Sequence, residues 1–138
     1  MTRKIIQFVF VTVVTLCLGS TVTAQDSSMS IKVPFDFYVG ERLLPAGEYT
    51  IARVVASSNT IRIISTSKHA ATIFTVPVSV YRPVLQEKMV FNRYGNDHFL
   101  AQIWWPGTAT GFEMVKGKFE IQVAKNMRPN LRTIGNQN

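Results

Sequence analysis

KMVFNRYGNDHFLAQIWWPG, residues 88–107, reads as two β-strands joined by a turn. Residues 88–94 and 98–105 are rich in aromatic and aliphatic side chains, Gly95, Asn96 and Asp97 separate them, and Pro106-Gly107 ends the second run. Successive side chains of a strand point to opposite faces, so Trp104 and Trp105 cannot share one. Trp105 falls with Phe99, Ala101 and Ile103, an apolar set that predicts a core position. Trp104 falls with His98, Leu100 and Gln102, which are mixed.

Loop parity decides which residues of the first strand join each face. A three-residue loop, Gly95-Asn96-Asp97, sets Met89, Phe91 and Arg93 beside Trp105, and Val90, Asn92 and Tyr94 beside Trp104. An even loop would push Asn92 into the core. The odd loop segregates apolar from polar better and makes Asp97 the expected left-handed residue. In this register Trp104, Tyr94, His98, Gln102 and Asn92 form a patch of rings among hydrogen-bonding groups, the composition of a sugar- or peptide-binding platform. The competing reading is structural: the C-terminal segment, or a second sheet, covers Trp104.

The same period of two runs outward from this hairpin. Ile31, Val33, Phe35, Phe37 and Val39 fall on one face, with Tyr38 on the other, and Pro34, which has no N–H for a ladder, places this strand at a sheet edge. Tyr49, Ile51, Arg53 and Val55 alternate next, followed by short β-branched runs at residues 60–65, 72–76 and 78–81. About seven short strands with turn signals between them predict an all-β fold, a small antiparallel sandwich or barrel. Beyond Gly111, KGKFEIQVAK fits a strand or a short helix, and Gly117 disfavours a helix start upstream of Lys118. Residues 125–138 are polar and aperiodic, which predicts a disordered tail after a β domain spanning residues 25–124.

The chain opens with Arg3 and Lys4, an apolar run from Ile5 to Leu18 and a small-residue site at Val22-Thr23-Ala24. This is the pattern of a secretory signal, so residues 1–24 are expected to be removed on export to the periplasm or beyond. The apolar run is shorter than the roughly 20 residues that span a bilayer, so no membrane span is expected to remain. Cleavage leaves 114 of the 138 residues, enough for one domain. It also discards Cys17, the only cysteine, so stability must come from packing. A lipid on Cys17 is disfavoured by Leu16, where a small residue is normal. The remaining chain carries 13 basic against 8 acidic side chains. Lys116, Lys118, Lys125, Arg128 and Arg132 gather late, as a solvated basic tail or a contact for an anionic envelope polymer rather than for nucleic acid.

Two stretches, VPFDFYVGERLLPAGEYTI (33–51) and VFNRYGNDHFLAQIWWPGTATG (90–111), resemble a family of small exported proteins numerous in soil bacteria. Its members share a VPFDF-x-VG … LPAGxY start and an RYG … FL … IWxPG … TG end around one β domain. The resemblance implies export and a β fold, and it implies no chemistry. Members also carry a charged helix after the TG; Gly117 and the alternating FEIQV depart from that pattern here.

The search for chemistry returns little. His69 and His98 have no grouping of two or three convergent ligands, so neither a metal nor a cofactor is expected. There is no GxSxG elbow, no phosphate-cradling glycine loop, and the carboxylates lie mostly in turns or beside Lys or Arg. The leading reading is a non-catalytic exported module that binds a polysaccharide or envelope polymer through an aromatic sheet face. The second is an assembly protein that pairs through the edge strand led by VPFDF. A hydrolase is the least supported.

Overall fold

The computed structural model describes residues 28–55 and 57–135. The segment expected to be a signal, residues 1–24, and Cys17 within it lie outside the described residues. Among the described residues the fold is all-β with one short helix, and it has ten strands where the sequence predicts about seven. Four strands are added and one is lost: one run splits, residues 42–44, 110–114 and 130–135 pair as strands of their own, and the runs expected at 72–76 and 78–81 join into the single strand Ala70–Ser79. The run expected over residues 31–39 breaks at Pro34 into β1 (Met29–Val33) and β2 (Phe37–Val39), and β3 (Arg42–Leu44) folds back on β2 through Gly40, whose φ of 61° suits a residue without a side chain. The segment expected to be a disordered tail instead forms β10 (Asn130–Gly135), which pairs with β7 (Lys88–Tyr94) from Asn130↔Arg93 to Gly135↔Lys88.

Hydrogen-bonded neighbours trace one continuous path. β1 pairs with β4 (Gly47–Arg53), β4 with β5 (Thr60–Ser65), and β5 with the first half of β6 (Ala70–Ser79). The second half of β6 pairs with β9 (Thr110–Met114), β9 with β8 (Asp97–Trp104), β8 with β7, and β7 with β10. β6 is therefore the corner strand shared by the two halves. β1 and β10, the ends of the path, approach each other without a ladder, so the sheet curls into an open barrel. β2 lies parallel to β8, at Tyr38↔Phe99, on the edge that β8 also offers to β9.

The inward face is one apolar core. It takes Met29, Ile31 and Val33 from β1, Phe37 from β2, Tyr49 and Ile51 from β4, Ile61 and Ile63 from β5, Met89 and Phe91 from β7, and Leu100 and Ile103 from β8. Pro34 follows the last residue of β1 and never enters the ladder, and β1 lies at an end of the path, as its missing N–H predicts.

Residues 118–124 are helical. In α1 (Lys118–Ala124) Gly117 is the N-cap, and the Lys118 N–H donates to the Glu41 carboxylate in the β2–β3 turn. A Cβ at Gly117 would come within 2.8 Å of the Gly40 carbonyl oxygen, so the glycine that disfavours a helix further upstream is what lets this one start against the sheet. The residue α1 buries is Glu120, only 4% exposed, while Ile121 faces outward. The alternation of Phe119, Ile121 and Val123 is thus no strand signal here.

Candidate functional site

The β7–β8 hairpin brings the expected platform residues to quite different places. Its turn is two residues long: Tyr94 pairs with Asp97, and the left-handed position is Gly95 at φ 61°, not Asp97. An even turn should push Asn92 inward, yet it does not, because the register shifts by one between Val90/Phe91 and leaves Ala101 unpaired as a bulge. The bulge reverses side-chain parity along β8. His98 and Leu100 face inward before it, Ile103 faces inward after it, and Phe99, Gln102 and Trp104 face outward.

Four of the five expected residues, Asn92, Tyr94, Gln102 and Trp104, therefore do share the outer face, but they form no open platform. Trp104 is 4% exposed; its indole N–H donates to Gln102 Oε1 at 3.2 Å, and its ring lies flat over Gly111, where a Cβ would come within 2.5 Å. Lys88 Nζ sits 5.5 Å from the ring centroid. Asn92 and Tyr94 are covered by α1: Asn92 Nδ2 donates to Glu120 Oε1 at 2.8 Å, and the Tyr94 hydroxyl lies 3.5 Å from the same oxygen. Phe119 closes the cluster against Phe99 and Tyr38, which stack on each other at 4.9 Å. An exposed aromatic sheet face is thus corrected to a second, outer core sealed in part by the C-terminal helix.

His98 is the fifth residue and sits on the other side. Its ring stacks on Phe35 at 4.0 Å, and Arg132 from β10 lies 4.3 Å over the far partner, Phe35, with Nη1 3.4 Å from His98 Nε2. Burial, then Arg132 and Arg93, hold the imidazole below its ordinary value, so it is neutral at pH 7. A neutral imidazole facing two guanidinium groups plugs this end of the barrel. His69 is exposed in the β5–β6 turn, and no group of three metal-ligating side chains occurs among the described residues.

The other end of the barrel is open. A cleft of about 360 Å³ lies between Arg53, Trp105, Pro106, Thr108, Thr110 and Phe112. Trp105 and Phe112 meet edge to face at 5.6 Å and are each 8% exposed, so they wall the core on one side and the cleft on the other. The Thr108 hydroxyl lies 2.8 Å from the Trp105 carbonyl and 3.0 Å from that of Thr110, which pins the loop forming the rim. Arg53 reaches in from the last residue of β4, its guanidinium carbon 5.9 Å from the Phe112 centroid.

None of Arg53, Thr108, Thr110 and Phe112 stands out as a motif. One signal was readable: Tyr49, Ile51 and Arg53 alternate, which sets a cation on the inward face of a strand. What placed it beside Trp105 is the β4–β5–β6–β9–β8 order, which no local pattern encodes. Compared with protein-family models, curated proteins and solved structures, the chain matches none.

Proposed function

We propose that this protein is an exported, non-catalytic β module that binds an extracellular or envelope polymer in the cleft at the Trp105 end of the barrel. The observation that carries this reading is the cleft itself: a concave mouth of about 360 Å³ with two aromatic walls, a pinned rim and one guanidinium. Barrel mouths are recurrent ligand seats, and pockets typically join apolar walls to a few polar groups. The non-catalytic reading is supported by where the ionisable groups lie. His98 is stacked against Phe35, Asp36 accepts from the Ala46 N–H at 2.8 Å, and Glu41 and Glu120 are engaged with Lys118 and Asn92.

The test is a calorimetric screen of neutral and acidic cell-wall and extracellular glycans against the wild type and Thr110→Trp. Thr110 is exposed on the rim, so the variant plugs the cleft without entering the core. At least one glycan should bind the wild type and lose tenfold or more in the plugged variant. Binding that ignores the plug rejects the cleft.

Assembly remains a second reading, favoured by two surfaces. Among the described residues β1 and β10 each keep an edge without a ladder, and β6 turns Phe74 and Val76 outward, Phe74 being 76% exposed. Light scattering across a concentration series would detect it as a mass that grows with concentration.

A further inference from the structure

Arg53 is the one residue of the cleft that core packing leaves unexplained. β4 turns Tyr49, Ile51 and Arg53 to the same side, and the first two are wholly buried. A third apolar residue would extend that core; instead a half-buried guanidinium faces the Phe112 ring in a cleft that Trp105 also lines. It is the only charged side chain lining the cleft, and among the described residues no carboxylate lies within ion-pair reach of it. Withdrawing a charge from water without neutralising it is unfavourable, and an anion arriving in the cleft would remove that penalty.

The chemistry of the anion follows from the walls. A guanidinium offers paired parallel N–H donors that match the two oxygens of a carboxylate or phosphate. A phosphate monoester brings up to about two negative charges, of which one guanidinium neutralises only one against apolar surroundings. A carboxylate balances it singly. The volume sets the size: ligand pockets run from roughly 300 to 1,000 Å³, and a cleft of about 360 Å³ seats one ring, so a polymer enters it by its terminal ring.

We infer that the cleft takes a carboxylate carried on a ring, with Arg53 gripping the carboxylate and the Trp105 and Phe112 walls receiving the apolar side of the ring. This rests on the binding reading above and narrows it to acidic ligands. In an exported module the source is the uronic acid end of an acidic glycan or a free aromatic acid. These carry the same chemistry, and the assay separates them.

The experiment is calorimetry of the folded chain with three probes: a galacturonic acid trimer, its methyl ester, and benzoate. The acid trimer should bind and the ester at least tenfold more weakly. Arg53→Gln should lose at least tenfold for the acid, and Arg53→Lys, which keeps the charge but not the fork, should fall between. Binding of benzoate but not the trimer would make the ligand a free aromatic acid. If acid and ester bind alike, or Arg53→Gln changes nothing, the ionic seat is wrong while a binding cleft sensitive to Thr110→Trp stands. If neither neutral nor acidic glycans nor benzoate bind, both readings fall. Should Arg53→Gln not fold, the acid-to-ester comparison on the wild type still decides.

Discussion

Trp104 rests on a residue with no side chain, and that contact sets its worth. The indole covers Gly111 so closely that a methyl group there would meet three ring atoms at 2.5–2.8 Å. Gly111→Ala should therefore destabilise by about 1 to 3 kcal/mol through overpacking. In a Trp104→Leu background the same substitution should cost less, and a double-mutant cycle in urea measures the difference. Trp104→Ala and Trp105→Ala should each cost about 3 to 5 kcal/mol, because both rings are buried, on opposite sides of one sheet. A loss for Trp104→Ala below about 1 kcal/mol would contradict its burial. His98 gives the pH dependence. In the unfolded chain an imidazole takes its proton near pH 6.5, about its ordinary value. In the fold, burial and then Arg132 and Arg93 push that uptake lower. Between the two values the unfolded chain holds more protons, so the stability contributed by neutral His98 is full above about pH 6.5 and is lost as the pH falls through the folded value. Urea midpoints at pH 7.5 and 5 should fall less for His98→Gln than for the wild type.

The decisive features among the elements are a bulge and a late strand. Ala101 is the extra residue that lets Leu100 and Ile103 face the same core, although they are three apart in a strand. Deleting it brings the two to a spacing of two, so strict alternation keeps both inward and the ladder with β7 continues without the bulge. The deletion variant should keep a cooperative urea transition, whereas inserting one residue between Phe99 and Leu100, which shifts Leu100 off its face, should abolish it. β10 is polar and mostly exposed, yet it covers the outer edge of β7 and carries Arg132 to Phe35 and Ile134 to the core. A chain ended after Pro129 should melt at lower urea concentration and associate through the uncovered β7 edge. An unchanged midpoint and a monomeric mass would mean that β10 is an ornament to the barrel.

At the scale of the whole molecule, the two ends of the barrel differ in kind. One is plugged by Phe35, His98 and Arg132, and the other opens between Arg53, Trp105 and Phe112. Binding at the open end fits an exported module, and export has its own test: intact mass of the secreted protein should start at Gln25. Retention of Met1, or a lipid mass on Cys17, would replace that reading. The sequence by itself determined the all-β class, the alternation of Ile31 with Val33 and of Tyr49, Ile51 and Arg53, the strand at residues 60–65, the edge position announced by Pro34 and the core role of Trp105. These are local matters, because a period of two and the absence of an N–H act within one strand. Only the tertiary structure decided the parity of the hairpin, the burial of Trp104, the helix over Asn92 and Tyr94, and the meeting of Arg53 with Phe112. Each depends on what arrives from a distant part of the chain. A bulge is chosen by the packing on both faces of a sheet, and a polar segment becomes a strand when it finds an unpaired edge to satisfy its backbone.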